Sequence, residues 1–195
     1  MSTTKTKKVS SRKKRVTSKT PQLKYHKLRP EAKEPKYATT GSACFDLYSC
    51  LPEDGVNIFN SFNEPRRREV IENSNEVNCM YLNPGDRVMI PTGIQMDIPE
   101  GHFVRLFARS GNAIKNGIML CNGVGIIDSD YTDEIIVLIQ NTSNTVVEVR
   151  DNERICQGMM ERYEICSFVE TDLVEKKTNR DGGFGSTGMG EVDES

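Results

Sequence analysis

Asp128 stands directly after the apolar run Val124–Ile127, within the stretch CNGVGIIDSDYTDE that covers residues 121–134. A carboxylate at the end of such a run can be held partly desolvated and orient a water as a general base. Tyr131, three residues on, can present a ring face. Asn122 and Gly123 form a hairpin turn signal, with Gly125 just beyond. The plainer alternative is a β-hairpin with a solvated acidic end. A calcium loop fits less well, because the acid spacing departs from an EF-hand. Arg109-Ser110-Gly111 joins a planar fork of donors to a hydroxyl that can cap the following helix or donate, and helix starts favour anions; alternatively it is an ordinary helix start with a solvated Arg. Asp46, among the apolar residues of SACFDLYS (42–49), must pair, bind a metal or reach solvent. Gln157, in RICQ (154–157), carries an amide that can point outward from a strand. Finally, RDGGFGSTG (180–188) lacks the Lys of a phosphate-binding Walker loop. Even so, its glycines can offer backbone N–H groups to phosphate. Arg180, Ser186 and Thr187 add polar groups, and Phe184 can stack on a flat ligand, so the segment has the makings of a nucleotide clamp; the other reading is a loose tail.

These residues need a scaffold that brings distant stretches together. Short apolar or alternating runs recur at Met80–Leu82, Arg87–Ile90, Gly93–Ile98, Phe103–Phe107, Ile135–Gln140 and Thr145–Val149, punctuated by NPGD, IPEG and NTSN. Many short strands with frequent turns predict an all-β barrel or sandwich. One short helix is predicted after Ser110. Residues 52–78 are polar and read as a surface insertion. The expected organisation is a disordered basic tail over 1–22, a β domain over 23–170 and a flexible C-terminal arm over 171–195.

Length and charge narrow the partners. The chain has 195 residues, enough for one sizeable core, with 36% hydrophobic residues and no Trp. Residues 1–30 hold eleven Lys and Arg and no acid, so the remainder holds fifteen basic against twenty-eight acidic residues, a net of −13. An acidic body argues against a specific nucleic-acid groove. The basic tail, with SRKKR at 11–15, suits an import receptor or a non-specific nucleic-acid contact. No apolar run approaches a membrane span, and no secretion signal is read, so an intracellular location, cytoplasmic or nuclear, is expected. Six scattered Cys and two His offer no zinc spacing.

Taken in order, the five stretches resemble the motifs of the trimeric dUTPases, from SACFDLYS through ARSG, NGVGIIDSDY and NERICQ to RDGGFGSTG, with PTGI (91–94) also familial. The resemblance implies a β-jelly-roll subunit in a homotrimer with shared active sites and a mobile C-terminal arm. It implies hydrolysis of dUTP to dUMP and pyrophosphate with Mg²⁺, limiting uracil in DNA and supplying dUMP for thymidylate synthesis. Asp128 would activate water, Asn122 and Gly125 would lie in the uracil-reading hairpin, and Tyr131 would pack under the deoxyribose. Arg109, Ser110, Gly111 and Gln157 would hold phosphates. Asp46 would belong to the outer shell around a metal carried by the substrate phosphates and waters, with no direct protein ligand. Phe184 would cap the uracil, with Arg180, Gly185, Ser186 and Thr187 on the phosphates. The chain departs from the family pattern at Cys44, Ala108, Thr132-Asp133, Asn152 and the Arg180–Phe184 spacing. The dCTP deaminases, related in fold, carry a Glu where this chain has Leu138. A catalytically inactive nucleotide-binding regulator is the remaining alternative.

Overall fold

A computed structural model describes residues 21–179 of the chain. The architecture follows from the alternation: each short run turns its apolar residues to one side and its polar residues to the other, so two sheets can close over a common core. The strands are β1 (Lys24–Lys27), β2 (Lys36–Tyr37), β3 (Phe45–Tyr48), β4 (Val56–Phe59), β5 (Pro65–Arg68), β6 (Ile71–Glu72), β7 (Asn78–Leu82) and β8 (Arg87–Pro91). They continue with β9 (Ile94–Asp97), β10 (His102–Phe107), β11 (Ile118–Leu120), β12 (Gly125–Ile127), β13 (Ile136–Asn141), β14 (Val147–Arg150) and β15 (Arg154–Arg162). One five-stranded sheet runs β12-β10-β15-β3-β2, and a second runs β11-β13-β8-β4-β5. A pair β1-β9 and a three-stranded sheet β14-β7-β6 complete the antiparallel framework. Leu47, Ile58, Met80, Leu82, Ile90, Ile94, Val104, Ile135, Ile139 and Ile155 fill the interior. Each of the six runs read from the sequence overlaps a strand, as the all-β expectation requires.

The predicted helix is α1 (Ser110–Asn116). It ends where Gly117 turns to φ 63°, a conformation a side chain disfavours, and the Gly117 N–H donates to the Asn112 carbonyl.

The segment 52–78 differs from its reading as a surface insertion. It contributes β4, whose Val56 and Ile58 are buried in the core and which pairs with β8 inside the second sheet. Only β5, β6 and their turns are largely exposed. Compactness divides the chain at Tyr163 rather than at residue 170, since β15 runs to Arg162. Residues 164–195 make up the other unit, and its described part, 164–179, holds no helix or strand. Among the described residues, no helix is long and apolar enough to cross a membrane.

Candidate active site

Three of the stretches meet where β10 runs out into α1. Ladder register alone brings them close: Gln157 on β15 lies opposite Asp46 on β3 and also opposite Phe107 on β10. The Gln157 amide donates to the Ala108 carbonyl at 3.0 Å. Asp46 is 8% exposed, and of its three sequence-level alternatives it takes pairing. Its Oδ1 accepts from Arg109 Nε at 3.0 Å and its Oδ2 from Arg154 Nη1 at 3.3 Å. The Arg154 carbonyl in turn accepts from Asn112 Nδ2 at 3.1 Å and from Arg109 Nη1 at 3.4 Å. Arg109 thus has its Nε and Nη1 engaged, while Nη2 has no hydrogen bond among the described residues. Arg109 itself occupies the helix N-cap position, with φ −85° and ψ 132° and no side-chain cap bond. Ser110 and Gly111 therefore form the first helical residues rather than the cap, and both are exposed. On β15 burial, reinforced by the Asp46 charge, pushes the Cys156 thiol up to about 12, so that it is an inert packing group and not a nucleophile.

A second group gathers around the passage from β11 to β13. Asn122, Gly125, Asp128 and Tyr131 line one cavity of about 300 Å³, walled by apolar side chains that include Leu106, Leu120 and Val137. The expected hairpin is corrected here. Among the described residues β11 pairs with β13 and β12 pairs with β10, so the Asn122-Gly123 turn carries the chain from one sheet to the other. The turn closes through Gly123 N–H on the Leu120 carbonyl at 3.1 Å. Asp128 follows β12 directly, as expected, but its side chain is exposed in the single chain, not partly desolvated. It also borders a wider groove of about 600 Å³ lined by Glu100, Phe103 and Tyr163. The Tyr131 hydroxyl donates to the Glu134 carbonyl at 2.9 Å. Burial, with the Asp133 and Glu134 charges, raises the phenol pKa above its usual value, so the ring stays neutral.

The fold therefore assembles two sets, Asp46–Arg109–Gln157 beside Ser110 and Gly111, and Asn122–Gly125–Asp128–Tyr131. No hydrogen bond or ion pair among the described residues joins them. Arg180, Phe184, Gly185, Ser186 and Thr187 lie outside the described residues. Three contributors escaped the sequence reading. Arg154 sits inside the quoted NERICQ but becomes a partner of Asp46 only across a register shift between Arg154 and Cys156. Asn112 reads as a plain helical residue, and Glu134 as the last of a run of solvated acids. Among the described residues, no three His, Cys, Asp or Glu side chains converge as a metal cage.

Comparison with known proteins bears on what this geometry serves. Residues 77–188 match the family model described as dUTPase. The chain is 38% identical over 154 residues to the deoxyuridine 5'-triphosphate nucleotidohydrolase of Finegoldia magna, covering 79% of this chain and 90% of that protein. It is 33% identical over 162 residues to the enzyme of the same name from Fusobacterium nucleatum, covering 83% and 94%. In structure it is similar to the Staphylococcus bacteriophage 80alpha dUTPase with dUPNHPP. That match has a TM-score of 0.66 and 20% identity, spanning 87% of this chain and 99% of that one. With the motif residues set on a jelly-roll frame of that kind, and the match running over most of its length, the chain belongs to the dUTPase family.

Proposed function

We propose that the chain hydrolyses dUTP to dUMP and pyrophosphate, and that the two residue sets are the halves of one active site completed between subunits of a homotrimer. The observation that carries the reaction is Asp128, one residue beyond β12, on the same cavity as Asn122 and Tyr131, in a chain of this family. A water held by the Asp128 carboxylate attacks the α-phosphorus; its oxygen bonds to phosphorus as the bond to the leaving pyrophosphate breaks. The released proton passes to the carboxylate. Asn122 and the turn backbone around Gly125 read the polar edge of uracil, a strong basis for rejecting cytosine. The Tyr131 ring packs under the deoxyribose and excludes a ribose hydroxyl. Arg109, whose Nε is held by Asp46, turns its remaining donors to phosphate, joined by the first N–H groups of α1, Ser110, Gly111 and Gln157. The glycine-rich segment closes the site, with Phe184 over the base and Arg180, Gly185, Ser186 and Thr187 on the phosphates.

Mg²⁺ fits these residues as an ion carried by phosphate oxygens and water, since the one buried carboxylate nearby, Asp46, is already engaged by two guanidinium groups. When bound it neutralises charge on the leaving pyrophosphate. Support for assembly comes from an apolar outer face: Met89 and Leu138 stand opposite one another on β8 and β13 and are 40% and 36% exposed, beside the cavity that holds Asp128. The substrate places the work inside the cell.

Pyrophosphate release over a panel of deoxy- and ribonucleotides, with and without chelator, tests the reading. Release from dUTP alone, abolished by chelation and restored by Mg²⁺, is expected. Ammonia release from dCTP, or nucleotide binding with no turnover, overturns it.

A further inference from the structure

We propose that Glu134, locked by Arg29, is a positioning residue that fixes the loop bearing Asp128 and Tyr131. The inference rests on the roles given above to those two residues. The loop between Ile127 and Ile136 carries both at its exposed outer half. Its inner end turns Glu134 toward the protein, where the side chain is 20% exposed. One oxygen, Oε1, accepts from the Gly93 backbone N–H at 2.6 Å and from Arg29 Nη2 at 2.5 Å. Arg29 lies between β1 and β2 and is itself held, with Nε on the Cys50 sulfur at 3.2 Å and Nη2 on the Cys50 carbonyl at 3.3 Å. Gly93 belongs to the PTGI stretch and adopts φ 68°. A Cβ there would come within 2.5 Å of the Ala32 Cβ, so glycine is what lets the Arg29–Ala32 segment lie against the β8–β9 turn, whose Gly93 N–H binds Glu134.

The same end of the loop is tied at further points. The Ile135 N–H donates to the Ile94 carbonyl at 2.8 Å, Thr92 Oγ1 to the Ile135 carbonyl at 2.8 Å, and Gln95 Nε2 to the Thr132 carbonyl at 2.7 Å. The Tyr131 hydroxyl closes on the Glu134 carbonyl, which ties the ring to the anchoring residue. A partly buried ion pair adds little net stability compared with apolar packing, yet it specifies one geometry. That is the use here: a nucleophilic water and a sugar platform need placement to a fraction of an ångström, and a shift of about 1 Å can lower a rate by about 100-fold. Lys33, four residues after Arg29, donates to the Asn152 carbonyl in the turn before β15. The β1–β2 connection therefore also reaches the turn that leads into the strand bearing Gln157.

The test compares Glu134→Ala, Glu134→Gln, Arg29→Met and the Arg29→Met/Glu134→Gln pair with the parent enzyme. Each is measured for kcat and KM on dUTP and UTP, with thermal melting to establish folding. Expected are a tenfold or larger fall in kcat for Glu134→Ala with little change in KM. Glu134→Gln and Arg29→Met should show smaller and mutually non-additive falls, and preference for dUTP over UTP should drop in step with kcat. Tyr131→Ala separates the two ideas. If it leaves dUTP preference intact, the sugar-platform reading falls, and the positioning role then stands or falls on kcat alone. Folded variants with parental kcat overturn the inference, as does a loss that only tracks the unfolded fraction. Should Glu134→Ala not fold, Glu134→Gln and Arg29→Met decide it by the same criteria.

Discussion

Asp46 and Asp128 are both carboxylates set against apolar runs, and the fold gives them opposite surroundings. Asp46 is buried and satisfied by two guanidinium groups, while Asp128 is exposed on the rim of two cavities. A carboxylate whose oxygens already accept from Arg109 and Arg154 has little room to hold a water; one exposed at a strand end has that room. Asp128→Asn is accordingly expected to lose about 10²–10⁴ in kcat with its melting temperature nearly unchanged, since an exposed substitution shifts stability by about 0.5 kcal/mol or less. Asp46→Asn should act through stability as well, costing about 1–3 kcal/mol by leaving charged donors short of a partner. Steady-state kinetics beside thermal melts of the two variants check the contrast, and full turnover by Asp128→Asn would remove that residue from the mechanism. The candidate residues themselves were legible because motif order survives in the chain. Their partners were not. Glu134 is indistinguishable in sequence from Asp130 and Asp133, since only the fold turns it inward toward Arg29, 105 positions away.

Most strands of alternating residues announced themselves, and β4, set among polar neighbours, did not. Val56 and Ile58 face inward while Asn57 and Phe59 face out, a pattern too short to stand clear of the polar residues around it. The neighbouring β5 begins with Pro65 and continues with three arginines, a composition suited to an edge strand, where a missing N–H and a row of charges discourage further pairing. Its charges are matched locally, Arg67 to Asp54 and Arg68 to Asp86, so it reads as polar surface although it borders the core. Ile58→Ala should therefore cost about 2–5 kcal/mol, as a cavity in the shared core, whereas Phe62→Ala at the 83% exposed hairpin tip should be close to neutral. Denaturant unfolding of both proteins decides between a core strand and a surface insertion. The misread turn at Asn122-Gly123 has a related cause: the dipeptide specifies a reversal but not which sheet the chain enters next, and the pairing partners β10 and β13 supply that.

At the scale of the molecule, every buried hydrophobic side chain among the described residues falls between Ala32 and Cys156, so the core owes nothing to residues 164–179. The glycine-rich segment lies outside the described residues, and its part in the reaction rests on its composition. Five glycines among residues 180–190 make ordering expensive, at about 1–2 kcal/mol per residue fixed, and Phe184 is the one large aromatic there to offset it. On the function proposed above, the compensation comes from the ligand, through stacking on the base and N–H groups on the phosphates. Contacts made as water is excluded from the reacting phosphorus favour the transition state, so they belong in kcat. Deleting residues 178–195 should leave the ligand-free melting temperature and the assembled mass unchanged, while kcat on dUTP falls strongly; Phe184→Ala should show a milder form. Sedimentation fixes the mass, expected at three times the 21.9 kDa chain before allowance for the deletion. A truncated protein that melts much earlier or sediments as a monomer would make the segment structural, and one that turns over dUTP at the full rate would remove it from the active site.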